Sequence, residues 1–278
     1  MRGDDFDKPV AYRCGQLRGL CLSGYGAFDL LAIPWSTLTT NPGPNRQLTK
    51  ASRTRRVVRV EFEPHGRRPR ILYVKRVLIR DLRKRLGNLF VRSKARREWT
   101  AGYRLAAMGV ATARPVIYAE MREGPWLRAN YLVTEEISDA RPVRLELEHS
   151  HSDRARRDLL SRLGEWLWRV HRLGFYHDDC SAQHVFVGPL GAAHKDQRRF
   201  AFIDLDNCRF HRATVPWTRR VKNLFQLLRS IPPHWASPTE RLHFVRSYLE
   251  ASGEREAQDR AVAQMRRLAR SKRTSIHL

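Results

Sequence analysis

The sequence predicts an α+β chain of two lobes: a strand-rich first lobe carrying one helix, then a mainly helical second lobe carrying a short hairpin. Three observations carry that prediction. Residues 55–77 alternate apolar and charged side chains with the two-residue period of half-buried strands. Residues 153–172 instead repeat apolar side chains at helical spacing. Directly after that helix comes "FYHDDCSAQHVFV", Phe175 to Val187, which crowds two histidines and two carboxylates between aromatic and apolar residues.

Up to about Thr49 the chain carries Gly and Pro breakers that end in "NPGPN", so residues 1–50 are expected to form an extension with little regular structure. "RRVVRVEFEP" then sets Val58, Val60 and Phe62 against Arg59, Glu61 and Glu63, a half-buried strand. "ILYVKRV" is its hairpin partner and turns Tyr73, Lys75 and Val77 to one face. A basic stretch from Arg80 to Arg97 leads into the helix "SKARREWTAGYRLAAMG", with Gly109 placed to end it. "RPVIYAE" and "NYLVTEE" are two further strands joined at "REGPW". In the second lobe, "DRARRDLLSRLGEWLWRVHRLG" is a long helix closed by Gly174. "HVFVG" and "RRFAFIDLDN" are short strands, and "RRVKNLFQLLRSI" and "PTERLHFVRSYLE" are helices. The folded domain is expected over 51–252, with lobes of about 51–137 and 138–252. A basic tail over 253–278 is expected to fray.

At 278 residues and 42% hydrophobic, the chain can bury a substantial core. Its formal charge is +25, and only eight of its 53 basic residues are lysines. Such a balance fits an anionic partner: nucleic acid, an acidic membrane face, or a phosphorylated or carboxylated glycan. No run approaches the roughly 18 apolar residues of a membrane span. Gly24, Gly26, Asp29 and Pro34 interrupt the most apolar early stretch, and Asp4, Asp5 and Asp7 argue against a secretory signal. Cys14, Cys21, Cys180 and Cys208 show neither metal-type pairing nor disulfide density, so free thiols in a reducing cytoplasm are expected.

Phosphoryl transfer asks a protein mainly for positioning and charge neutralisation. It uses a strand lysine for the nucleotide phosphates, a glutamate on the next helix to orient that lysine, an aspartate for the acceptor hydroxyl's proton, and a ligand pair for magnesium. Lys75 lies on a strand and Glu98 on the following helix. Asp179 falls two residues after His177, His184 stands where the loop's second metal ligand would be, and Asp204 ends the strand "FAFID". The parts occur in the required order on the required elements.

"HDDCSAQH" followed by "FIDLDNCRF" resembles the Kdo/WaaP (InaA-like) family of lipopolysaccharide core kinases, as do the helix "SKARREWTAGYRLAAMG" and the later "RRVKNLFQLLRS" and "RLHFVRSYLE". The resemblance runs from about Arg53 to Glu250. It implies a protein-kinase-like bilobal fold and ATP- and Mg2+-dependent phosphorylation of a sugar hydroxyl, heptose or Kdo, in the lipopolysaccharide inner core. Asp179 would then be catalytic, Lys75 and Glu98 would serve ATP, Asp204 and His184 the metal, and His177 would brace the loop. Asp178 stands where protein kinases have the arginine that reads a phosphorylated activation loop. His184 stands where they have asparagine. Magnesium prefers oxygen, so His184 either ligates it reluctantly or hydrogen-bonds the loop or a phosphate. No glycine-rich phosphate loop precedes "RRVVRVEF", and no long activation segment follows Asp204.

Two other classes compete. His177-Asp178 with His171, His184 and Asp204 fits the composition of an HD-type metal-dependent phosphohydrolase, but the pair follows a helix-closing glycine and precedes a strand instead of sitting in a helical array. A non-catalytic Arg-rich nucleic-acid binder or pseudokinase fits the charge. The aromatics do not interleave with the basic residues as a stacking platform requires, so no specific nucleic acid is expected. Arg83, Lys84 and Arg85 are the expected docking residues for an acidic glycan acceptor at an anionic membrane surface, where each charge contributes on the order of 1 kcal/mol. The expected location is cytoplasmic and peripheral at the inner face of the inner membrane.

Overall fold

The computed structural model describes residues 7–35, 46–63, 68–81, 91–150, 152–188 and 199–278. They form two compact units, Met1–Ala107 with Ala113–Ile137, and Met108–Thr112 with Ser138–Leu278.

The first unit begins with β1 (Pro9–Cys14) and β2 (Leu17–Leu22), continues with β3 (Arg46–Ala51), β4 (Arg55–Phe62) and β5 (Arg70–Leu78), and then forms α1 (Lys94–Ala107). The two-residue β6 (Ala111–Thr112) belongs to the second unit. β7 (Pro115–Glu123) and β8 (Trp126–Glu135) complete the first. Its sheet runs β1-β2-β7-β8-β5-β4-β3, every pair antiparallel. Val58, Val60, Leu72 and Val74 are buried as the alternation requires. Trp99 of α1 meets Tyr118 of β7 with ring centroids 5.4 Å apart, which seats the helix on the sheet.

The expectation of an irregular extension over residues 1–50 is corrected by β1 and β2. The glycines there are strand devices. Gly15 takes φ +53 in the hairpin turn, and a Cβ at Gly19 would fall 1.9 Å from the Tyr118 carbonyl oxygen, so only glycine lets β2 lie against β7.

In the second unit β6 pairs in parallel with β12 (Arg199–Phe202), which pairs antiparallel with β11 (Val185–Gly188), itself paired with β9 (Arg141–Pro142). β10 (Phe175–His177) pairs antiparallel with β13 (Cys208–Phe210). The helices are α2 (Val143–Glu148), α3 (Asp153–Arg172), α4 (Trp217–Arg229), α5 (Pro238–Ser252) and α6 (Gln258–Ser271). Ser152 caps α3 by accepting from the Ala155 N–H. Leu160, Leu163 and Leu167 are fully buried, each contributing about 1.5–3 kcal/mol.

α5 opens with Pro238 and a capping box between Ser237 and Glu240. Arg241 is 1% exposed, and its guanidinium donates to the carbonyls of Leu228, Ile231, Pro232 and Ala236. It satisfies acceptors that the end of α4 and the turn after it leave open. The fraying tail expected after Ser252 is also corrected. Ala261 and Met265 of α6 are buried, the Trp217 indole N–H donates to Gln264 at 2.9 Å, and Arg260 lies 4.2 Å over the Trp217 ring. A basic composition hid an amphipathic helix.

Candidate active site

In the first unit the Lys75 ammonium donates to a Glu98 carboxylate oxygen at 2.6 Å, and both side chains are largely buried. Lys75 points from β5 toward α1 because the strand alternates it with buried Leu72 and Val74 on the opposite pleat. Glu98 is held by the seating of α1. Ser93 accepts from the Arg96 N–H, Asn130 of β8 accepts from the Ala95 N–H, and Trp99 packs on Tyr118. Asn130 is a buried positioning residue that the sequence pattern hid among strand residues.

In the second unit Gly174, at φ +82, turns α3 into β10. A Cβ there would stand 2.4 Å from the His211 carbonyl oxygen, so glycine is required by conformation and by space. His177 ends β10. Its Nε2–H donates to the Ile203 carbonyl and its Nδ1 accepts from the Asp179 N–H, both at 3.2 Å. These bonds tie the loop to the strand that leads to Asp204. Burial lowers the His177 pKa, which keeps the ring neutral with one donor and one acceptor.

Asp179 is 66% exposed at its side chain while its backbone is fixed at both groups. Its carbonyl accepts from His184 Nδ1–H at 2.9 Å, which leaves Nε2 of His184 facing Asp204, 3.9 Å from Oδ2. Asp204 follows β12 in the left-handed conformation, φ 60 and ψ 56. That conformation is uncommon for a residue other than glycine, and such residues gather at working sites. A single 3-10 turn, Leu205–Asn207, then enters β13, and α4 begins at Trp217.

Helix α4 supports this loop, and sequence reasoning missed it. Asn223 Nδ2 donates to the His177 carbonyl at 2.8 Å, Gln226 Nε2 donates to the Asp178 carbonyl at 2.5 Å, and the Ser230 hydroxyl accepts from the Ala182 N–H at 2.7 Å. Lys222 donates to the Asp178 carboxylate at 2.9 Å and Tyr176 donates to it at 3.2 Å. Burial pushes the Asp178 carboxyl up, but these partners outweigh it and hold the group below the ordinary carboxylate range. The signal was present: Asn223 is a polar residue in the apolar arc set by Val221, Leu224 and Leu227, and it is fully buried.

His171 belongs to the scaffold. Its Nδ1 meets the Tyr248 hydroxyl at 2.8 Å and its Nε2 meets Asn223 Oδ1 at 3.1 Å. Burial lowers its pKa to about 3. With both nitrogens committed it is not a metal ligand, which removes the HD-phosphohydrolase reading. Among the described residues no three or more His, Cys, Asp or Glu side chains converge as a metal cage. A magnesium ion that keeps waters and substrate phosphates in its shell needs only one or two carboxylates, and Asp204 offers a hard oxygen for it. Arg83, Lys84 and Arg85 lie outside the described residues.

A strand lysine paired with a helix glutamate, and a His-Asp loop followed by a strand-ending aspartate, are the parts of a protein-kinase-like phosphotransferase. A solved structure, WaaP in complex with acyl carrier protein, shares the fold at TM-score 0.57 and 24% identity, over 81% of this chain and 87% of that one. The lipopolysaccharide core heptose(I) kinase WaaP of Escherichia coli K12 is 28% identical over 192 residues, 66% of this chain and 70% of that protein. The enzyme of the same name from Pseudomonas aeruginosa is 31% identical over 160 residues, 55% of this chain and 59% of its own length. The model of the lipopolysaccharide kinase (Kdo/WaaP) family matches residues 45–271, and the chain belongs to that family. Among the described residues no helix is long and apolar enough to cross a membrane.

Proposed function

We propose that the chain is an ATP-dependent kinase that moves the γ-phosphoryl group onto a sugar hydroxyl of the lipopolysaccharide inner core, a heptose or Kdo. The observation that carries this reading is the loop itself: the Asp179 carboxylate is open to solvent while His177, His184 and α4 fix its backbone. A carboxylate held in this way can accept the acceptor hydroxyl's proton as the oxygen attacks phosphorus. Lys75, oriented by Glu98, holds nucleotide phosphate oxygens. Asp204 would hold magnesium, and Nε2 of His184, left with its lone pair by the Nδ1–H bond, would serve beside it as second ligand. Bound magnesium would neutralise charge on the transferring group.

The direct passage from β13 to α4 supports a glycan acceptor over a peptide, which would be laid along a longer activation segment. The heptose kinase names of the relatives support the inner-core sugar. We assign acceptor docking and salt-reversible membrane association to Arg83, Lys84 and Arg85, and an acyl carrier protein is a further candidate partner by likeness to the solved complex. The test is mass spectrometry of core oligosaccharide from strains with and without the gene, with purified chain and γ-labelled ATP added back to the deficient core. One phosphate, 80 Da by the chemistry of the group, should be lost from a core sugar and restored (about one phosphoryl unit per sugar). Identical cores, and no label transferred on add-back, would refute the assignment.

A further inference from the structure

The sheet face turned away from Lys75 carries a second concentration of positive charge. Arg56 of β4 and Arg76 of β5 are direct cross-strand partners, a placement in which like charges repel. Arg53 and Arg80 join them around a pocket of about 600 Å³, beside Trp35, and among the described residues no acidic side chain lines it. The Arg76 guanidinium lies 4.4 Å over the Trp35 ring. Burial lowers the Arg76 pKa, and the neighbouring Arg56 and Arg80 add to the effect. Nη1 of Arg56 is buried with no hydrogen-bond partner among the described residues. Four arginines therefore gather around one cavity, two of them in register, and concentrate positive charge there. Anionic oxygens would offset the like-charge contact, because guanidinium forks match phosphate in geometry and charge.

We propose that this pocket is a second anion site, separate from the Lys75–Glu98 pair, that takes a ligand bearing two closely spaced phosphate groups. Four guanidiniums suit two phosphates better than one, and the cavity exceeds what a single phosphate fills. The proposal stands whether or not the chain transfers phosphate. The two phosphates come either from a soluble pyrophosphate-type molecule or from a bisphosphorylated lipid headgroup.

The experiment titrates inorganic pyrophosphate, without magnesium, into the full chain and three variants. Arg56→Gln and Arg80→Gln should each weaken binding about tenfold or more, the usual size of a lost hydrogen bond to a charged group. Lys75→Met should leave it nearly unchanged. Without ligand, Arg56→Gln should melt no lower than the parent, since it removes a like-charge contact. If it does unfold, Arg80→Gln at the exposed rim decides the matter. A second arm sediments the chain with phosphatidylcholine vesicles with and without cardiolipin. Cardiolipin-dependent sedimentation lost in Arg80→Gln identifies a lipid headgroup. Pyrophosphate binding lost in Arg80→Gln with sedimentation unchanged identifies a soluble ligand. Pyrophosphate binding that survives both arginine substitutions and disappears in Lys75→Met overturns the proposal, as does binding of neither probe at millimolar concentration.

Discussion

The Lys75–Glu98 pair and the loop from Asp178 to Asp204 are held by opposite means. In the first unit two charged side chains, one on a strand and one on the helix seated against it, meet directly at 2.6 Å. In the second unit the exposed carboxylate of Asp179 makes few contacts of its own. Its place is set by backbone groups bonded to His177, His184, Asn223 and Gln226. A site held by a charge pair fails when either charge goes. A site held through its backbone tolerates loss of the working side chain and fails when a distant support is removed.

The sharpest way to test that contrast is Asp179→Ala. It should reduce kcat about 10²–10⁴-fold with nucleotide affinity and melting temperature nearly unchanged, read by steady-state kinetics beside a thermal scan. A variant that keeps most of its turnover would show that another group takes the proton. Next in size is Asn223→Leu, which removes the support and leaves Asp179 in place. It strips partners from the His177 carbonyl and the His171 ring, so denaturant melts should show a loss of roughly 2–3 kcal/mol. Activity should fall with it, and unchanged stability would mean that α4 does not hold the loop.

For the first unit the contrast predicts strong coupling. Lys75→Met and Glu98→Gln should each damage turnover, and the double variant should cost about as much as either, a coupling of roughly 1–3 kcal/mol. Additive losses would show that the pair does not act as a unit. The smallest effect concerns pH. His171 and His177 have pKa values lowered by burial, so the unfolded chain binds their protons first. Their stabilisation is complete above the ordinary histidine value of about 6.5 and declines as pH falls below it, toward about 3 for His171. Each should contribute a slope approaching 1.4 kcal/mol per pH unit. Chemical melts between about pH 6.5 and 4.5, above most carboxylate titration, should show this slope, and His171→Gln should remove the share of His171 and leave that of His177.

The strands that alternate strictly, the amphipathic helices and the order of the candidate residues Lys75, Glu98, His177, Asp179 and Asp204 along them were legible because each rests on local periodicity or on position next to an element. Hidden features depended on partners far away in sequence. Tyr12, Leu17 and Cys21 mark β1 and β2, but Gly15 and Gly19 read as breakers until β7 is seen alongside. Lys222 and Gln226 look like ordinary polar helix residues until the loop's carbonyls are placed against them. The arginine pocket was equally concealed. Arg56 and Arg76 become neighbours only through the register of β4 on β5.

Arg241 gives the second unit a property that no single contact states. Its guanidinium gathers carbonyls from the end of α4, whose next residue, Ser230, holds the Ala182 N–H of the loop. If α5 detached, four acceptors would lose their donor together, and the helix end that secures the loop would lose its closure. Loop and α5 are therefore expected to open as one cooperative unit. Native-state hydrogen exchange should give the Ala182 amide and the amides in the middle of α5 a common opening free energy, although about 60 residues of chain separate them.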